Sequence, residues 1–324
     1  MQQAVSERGY EELLALKHNW TPGLPRGRLG SMSHSEEVVS QRRAPWKDVK
    51  RQLRVPVTAL EPDGPVRQIL HHRSRWSLAV WLAAAFVAIP STAEVDLPYK
   101  AIADRAGIPW THGPSSRTAA VTRAIDVLVA LGLCERVRRR YDAVKLRLLA
   151  LDGSRRKYVM PELRESLVIP GAICTNGWLG ELPQAALAVL LIAKRESDRQ
   201  WVRHRPPVGT ERFDAGRDWI HDKYGITPTT WAKGKEILGT YGILSWANGV
   251  TRGERTQFRS LYTLHLARLE RKPEDEPRLR MYKVPRVTHD AASGRAYRQF
   301  DVRWEPEVPS GATPLAAREA MPMG

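Results

Sequence analysis

The sequence contains little of what several large classes of protein require. It has only two cysteines among 324 residues, Cys134 and Cys174, and each lies in an apolar stretch. We therefore expect two reduced core residues and no disulfide or metal pair. The longest apolar run, residues 76–90, is too short to cross a bilayer, and the polar N-terminal stretch lacks the apolar segment of a signal peptide. These absences predict a cytoplasmic protein without a membrane partner.

Motifs that mark common nucleic-acid enzymes are also absent from the sequence. No G-x-x-x-x-G-K-[ST] occurs, and WAKGKE lacks the upstream glycine and the hydroxyl residue of a phosphate-binding loop. No C-x-x-C or H-x-x-x-H indicates zinc. His71 and His72 are adjacent, without the spacer of the His-hydrophobic-His motif that rolling-circle initiators use. We therefore expect no catalytic residue, no metal and no cofactor, and an enzyme is the least favoured interpretation.

What the sequence has in excess is positive charge. The formal net charge is +16 and the isoelectric point is about 10.2. Such an excess favours an anionic partner and salt-sensitive binding, although it carries no information about the fold.

The two ends of the chain differ in composition from its middle. Residues 1–65 read as an irregular, flexible and basic N-terminal region, and residues 271–324 as a flexible tail rich in proline and charge. Within that tail only RQFDVRWEP, residues 298–306, has the composition of a strand. The middle of the chain is expected to fold into two domains, residues 66–155 and 160–270.

These two domains repeat one order of predicted elements. In the first, helices are predicted at 74–89, 97–108 and 115–131, followed by the strands LCERVRR and AVKLRLLAL. In the second, helices are predicted at 182–197, 214–226 and 227–242, followed by ILSWAN and FRSLYTLHLARL. ADRAGI parallels HDKYGI, and VLVALGL parallels EILGTYGIL, so that a glycine ends the second and the third helix of each domain. Thr227 is the predicted N-cap of the last helix and Pro228 its first residue.

Two copies of helix, helix–turn–helix and β-hairpin resemble the winged-helix pattern. A pair of winged helices in one chain is similar to plasmid replication initiators, and the fold is also common among bacterial transcription regulators. The segment IPGAICTNGWLGELPQAALAVLL, residues 169–191, resembles the lead-in of actinobacterial helix–turn–helix proteins of plasmid or phage type. The resemblance implies a mainly α fold with small β-hairpins, an α+β class, in which two winged-helix domains lie between flexible tails and bind double-stranded DNA.

The resemblance also implies which helix enters the DNA. In a helix–turn–helix the second helix lies in the major groove and its N-terminal residues face the base edges. Arg117 is expected near the groove floor and Arg123 at a phosphate, while Trp231 either packs under the wing or stacks against a sugar. The expected contacts are Ser115, Ser116, Arg117, Thr118, Thr122 and Arg123 in the first domain, and Thr227, Thr229, Thr230, Lys233 and Lys235 in the second.

The hairpin of the first domain carries the densest charge. Residues 133–157 contain nine basic and three acidic residues. A wing lies along the DNA backbone or dips into the minor groove, where arginine is favoured; the alternative is an ordinary solvated surface. The wing contacts predicted are Arg136, Arg138, Arg139, Arg140 and Lys145, together with Arg252 and Arg255 at the weaker second wing, where Glu254 offsets them.

Several functions remain open at this point. The protein is expected to be a nucleoid-associated DNA-binding protein, acting as a transcription regulator or as an initiator at a plasmid replication origin, with transcription or replication machinery as partners. The alternative is a winged-helix scaffold that binds only proteins. If six to ten cations contact phosphate, affinity should fall about a thousandfold between low and moderate salt. Two tandem heads would cover about two turns of duplex, either as a monomer or as a homodimer.

Overall fold

The computed structural model describes residues 52–72, 74–109, 113–139, 143–204, 211–250, 258–289 and 296–306. Helices alternate there with short antiparallel strands, so the protein has a mixed α+β architecture. One order of elements occurs twice, in unit one (residues 52–148) and unit two (residues 166–264). Among the helices of the described ranges, none has the length and hydropathy needed to cross a membrane.

Unit one is built around a fully buried helix. Its elements are β1 (Gln52–Pro56), a 3-10 helix (Val57–Leu60), α1 (Pro65–His71), α2 (Ser77–Val87), β2 (Glu94–Pro98), α3 (Tyr99–Arg105), α4 (Gly113–Ala130), β3 (Cys134–Arg139) and β4 (Ala143–Leu148). All eleven residues of α2 are buried, as its unbroken apolar sequence requires. The last three strands form an antiparallel sheet in the order β2-β4-β3.

Unit two repeats this plan. Its elements are β5 (Ser166–Pro170), α5 (Ala172–Thr175), α6 (Trp178–Glu181), α7 (Gln184–His204), β6 (Glu211–Ala215), α8 (Arg217–Tyr224), α9 (Pro228–Thr240), β7 (Leu244–Val250) and β8 (Phe258–Leu264). The sheet order is β6-β8-β7, which corresponds strand for strand to that of unit one. Each hairpin therefore has its second strand between the first strand and a strand that precedes the helix pair.

The three helices and the hairpin predicted in each unit are present, but the strand before each helix pair was not predicted. The expected helices at 97–108 and 214–226 begin too early, because Leu97 and Pro98 belong to β2 and Asp214 and Ala215 to β6. In β6 both backbone groups of Asp214 are bonded by the side-chain amide of Gln200. The backbone hydrogen-bonding groups on the edge of β6 away from β8 thereby have partners in part.

The predicted helix ends are confirmed. Gly107 and Gly225 follow the second helix of each unit, and Gly132 and Gly242 follow the third, all with φ between +63° and +69°. Only glycine adopts this left-handed conformation without steric cost. At the start of α9, Pro228 is the first helical residue, and the hydroxyl oxygen of Thr227 accepts a hydrogen bond from the backbone N–H of Thr230 at 3.2 Å.

The prediction that both tails are flexible is wrong for the parts of them that the structure describes. Within the N-terminal region, β1 is paired with β5 and its Leu53 and Val55 are fully buried. Within the C-terminal region, β9 (Leu279–His289) and β10 (Ala296–Pro306) form an antiparallel hairpin that lies against α9 and β7. The predicted strand at 298–306 is one half of it. The remaining tail residues, 1–51, 290–295 and 307–324, lie outside the described residues.

The two units share one hydrophobic core rather than folding around separate ones. β1 and β5 pair antiparallel between them, and α2 contacts α7. At one point the main chains touch, because a Cβ on Gly180 would overlap the backbone of Gly107. Cys134 and Cys174 are both buried thiols in this core, as predicted.

Candidate nucleic-acid interface

An ion pair fixes the angle between the second and third helices of unit one. The guanidinium of Arg117, on α4, donates to Asp104 Oδ1 of α3 at 2.6 Å and to the carbonyl oxygen of Ile108 at 2.8 Å. Arg117 is only 4% exposed. The expectation that Arg117 reads bases is therefore wrong: it faces the turn between the helices and positions α4.

The solvent face of α4 carries the other predicted contacts. Ser115 and Arg123 are exposed, and Arg123 Nε donates to the carbonyl oxygen of Ala119 one turn earlier, at 3.3 Å. Ala119 is exposed as well, and as an alanine on a helix it gives no sequence signal of binding. A small apolar side chain there is able to contact a thymine methyl group. The half-buried predicted contacts beside this face are Ser116, Thr118 and Thr122.

The corresponding face of α9 is less basic than predicted. Thr227 and Thr229 are exposed at its N-terminal end, and Lys233 is exposed one turn further along. Thr230 is half-buried and shares the capping bond of Thr227. Lys235 is also half-buried, because its ammonium group lies 4.6 Å from the ring centre of Trp246. Lys235 thus packs on the aromatic cluster, and its contact with the DNA backbone stays a prediction.

The aromatic cluster beneath Lys235 decides between the two interpretations of Trp231. Trp231 is 2% exposed and packs edge-on against Tyr262 of β8, with ring centres 5.7 Å apart. Tyr262 also stacks on Phe213 of β6. Trp231 therefore anchors α9 to its sheet, and no part of it is available for stacking on a sugar.

Carboxylates of the unit-one sheet pair with the basic side chains at the base of its hairpin. Glu94 of β2 pairs with Lys145 at 2.8 Å and with Arg147 at 3.1 Å, and Arg147 also pairs with Glu135 at 2.7 Å. Burial alone would raise the pKa of Glu94, but its hydrogen bonds to the two cations outweigh burial and hold the pKa below its usual value. Lys145, predicted to contact DNA, is thus engaged within the sheet.

Towards the hairpin tip, one arginine is paired and the next is exposed. Arg136 reaches back to Asp126 of α4 at 2.5 Å and ties the hairpin to the helix. Arg138 is exposed, and within the described part of the chain no carboxylate lies within ion-pair distance of it. A β-bulge between these two arginines leaves Val137 without a register partner and 41% exposed. Bulges of this kind re-aim neighbouring side chains.

Four predicted contacts cannot be placed in the same detail. Arg139 belongs to β3, and nothing is described of its side chain. Arg140, Arg252 and Arg255 lie outside the described residues.

The basic residues of 133–157 whose side chains the structure describes divide into two groups. The paired group has carboxylate partners, which reduces its Coulomb attraction for an external anion; its members are Arg136, Lys145, Arg147 and Arg156. For the other group, Arg138, Arg155 and Lys157, the described residues include no carboxylate partner. Among the predicted contacts that the structure describes, the exposed cations without a carboxylate partner are Arg123, Arg138 and Lys233, and the total of six to ten stays a prediction.

The described residues hold no group of three or more His, Cys, Asp or Glu side chains able to bind a metal ion. Comparison of the sequence with protein-family models and with curated proteins finds no match. The function of the protein is therefore inferred from the geometry of its two helix pairs and their hairpins.

Proposed function

We propose that the protein binds double-stranded DNA, with each unit acting as a winged helix whose third helix enters the major groove. The observation that carries this proposal is the repeated topology. Both units have a helix, a strand, two helices and a hairpin, and both close the sheet in the same strand order. A helix presented beside an antiparallel hairpin has the dimensions that the major groove and its flanking backbone admit.

The chemistry of the exposed faces supports the same partner. α4 presents Ser115, Ala119 and Arg123, and α9 presents Thr227, Thr229 and Lys233. Hydroxyl groups and methyl groups make base-edge contacts, whereas single cations one turn behind them suit phosphate. Arg138 at the unit-one hairpin extends the cationic surface beside α4.

The proposal extends to function within the cell in one of two ways. Binding at a promoter would make the protein a transcription regulator, and binding at repeated origin sites would make it a replication initiator of plasmid type. Footprinting over the DNA upstream of its own gene separates the two. Tandem repeats followed by strand opening favour the initiator, and a single site overlapping a promoter favours the regulator.

A mobility-shift assay tests the proposal directly. The full chain is titrated into a random-sequence duplex of about 30 base pairs at low salt, and into a single strand of the same length. We expect the duplex to shift at lower protein concentration, and Arg138→Gln to weaken that shift. Absence of any duplex complex at low salt would exclude DNA binding and leave the protein-only scaffold as the better explanation.

A further inference from the structure

The contacts between the two units are reciprocal. β1 pairs antiparallel with β5, and the register places Arg54 opposite Val168. Counted from the start of each strand, these two residues occupy the same central position. The strands also match in sequence, since Leu53, Val55 and Pro56 correspond to Leu167, Ile169 and Pro170. An antiparallel pair in which a position faces its own counterpart has a local two-fold axis through that pair.

The helices around this strand pair obey the same rule. α2 packs against α7, its own counterpart in the other unit. The 3-10 helix of unit one contacts α7, and in exchange α5 contacts α2. Likewise α1 contacts α7, and α6 contacts α2. Each of these contacts from unit one to unit two is thus matched by the equivalent contact in the opposite direction, which is the signature of an isologous interface.

The glycines that end the second helices complete the pattern. Gly107, after α3, lies against Gly180 of α6 in unit two. Gly225, after α8, lies against the side chain of Arg67 on α1 in unit one. The turn that leads into each third helix is therefore held by the lead-in helix of the opposite unit, so the orientation of α4 and of α9 is set across the two-fold axis.

We propose that a single chain reads an imperfect inverted repeat in duplex DNA, one half-site with α4 and the other with α9. This inference rests on the proposed function. A two-fold rotation keeps both third helices at the same height along the axis and reverses the direction in which they run across it. Both helices therefore face the same side of a duplex whose local dyad coincides with that axis. Protein two-fold symmetry is matched by inverted symmetry in the site, with half-sites about 10 base pairs apart or a multiple of this.

The half-sites are related but not identical. Aligning Gly132 with Gly242 places Arg123 opposite Lys233 and Asp126 opposite Glu236, so the charges at both positions agree in sign. The neighbouring position differs, with Ala119 on α4 and Thr229 on α9. A methyl group and a hydroxyl group favour different base edges, so each half-site has its own preferred base at that position.

The test is a selection of duplexes from a random pool by the full chain, followed by sedimentation analysis of the complex with the selected duplex. We expect two related half-sites in inverted orientation, bound by one chain. Reversing one half-site in place should lower affinity about a hundredfold, because the second helix can no longer engage its site within the same complex. In hydroxyl-radical footprints, Arg123→Ala should weaken protection over one half-site and Lys233→Ala over the other.

Three outcomes would overturn the inference while leaving DNA binding intact: half-sites in direct orientation, two chains on one inverted repeat, or unchanged affinity after one half-site is reversed. Failure to enrich any duplex would instead refute the proposed function, and the inference with it.

Discussion

Replacing Arg117 with alanine should destabilise the protein, whereas replacing Arg123 on the same helix should not. The Arg117 guanidinium is buried and holds Asp104 and the carbonyl oxygen of Ile108. Removing one partner of a buried ion pair costs about 3–5 kcal/mol. The Asp104 side chain is 26% exposed, so water replaces part of the lost interaction, and we expect about 2–3 kcal/mol. Arg123 is exposed, and its removal should change stability by less than about 0.5 kcal/mol.

Thermal and denaturant unfolding of the two variants measure this difference. A loss of about 2–3 kcal/mol lowers Tm by roughly 4–12 °C in a chain of this size. The double variant Asp104→Ala with Arg117→Ala should cost less than the sum of the single variants, since both remove the same pair. DNA binding should respond in the opposite way: Arg123→Ala weakens it, and folded Arg117→Ala keeps the parental base preference. An Arg117→Ala protein with unchanged Tm and altered base preference would refute this assignment.

Three further predictions follow from packing and ionisation. Gly180→Ala should cost about 3 kcal/mol of unfolding free energy, because the added Cβ would overlap the main chain of Gly107. Gly132→Ala should cost only about 1 kcal/mol in the same denaturant titration, because Gly132 has a φ of +69° but open space around it. Glu94→Gln should destabilise the protein at neutral pH. Because folding lowers the pKa of Glu94, the difference from the parent should begin to shrink below the usual carboxyl pKa of 4.5 and should disappear only below the lowered pKa of the folded state; equal stabilities at pH 7 would contradict the ion network. Burial raises the pKa of Cys134 to about 12, so a thiol reagent at pH 8 should label the unfolded chain but not the native one, and fast labelling of native protein would show that the core is open at this point.

The helices and hairpins were predictable because their signals are local. Apolar periodicity defines α4 and α9, and single glycines such as Gly132 end them. Thr227 before Pro228 has the chemistry of a helix start whatever surrounds it. The repeat was visible in the sequence for the same reason, since each of these signals occurs twice.

The features that prediction missed depend on partners distant along the chain. β2 is five residues long, EVDLP, and its charges and proline resemble a loop until β4 pairs with it. β1 likewise becomes a strand only beside β5. For Arg117, its position at the N-terminal end of the helix suggested a base contact, but Asp104 on the preceding helix draws the guanidinium inward. Lys145 similarly forms an ion pair with Glu94 on the neighbouring strand β2, whereas composition alone counts it as a cation free to bind an anion.

The most direct test of DNA binding by this surface is the salt dependence of the dissociation constant on a duplex. Three of the predicted contacts, Arg123, Arg138 and Lys233, are exposed and have no carboxylate partner in the described ranges, and they predict a slope of log K against log salt of about −3 or steeper. Arg138→Gln should make the slope shallower by about 1. Arg164→Gln is the matched control, because Arg164 is exposed, pairs with Glu162 and is not among the predicted contacts, and it should leave the slope unchanged. A slope near zero, or equal slopes for the Arg138 variant and the parent, would contradict the account.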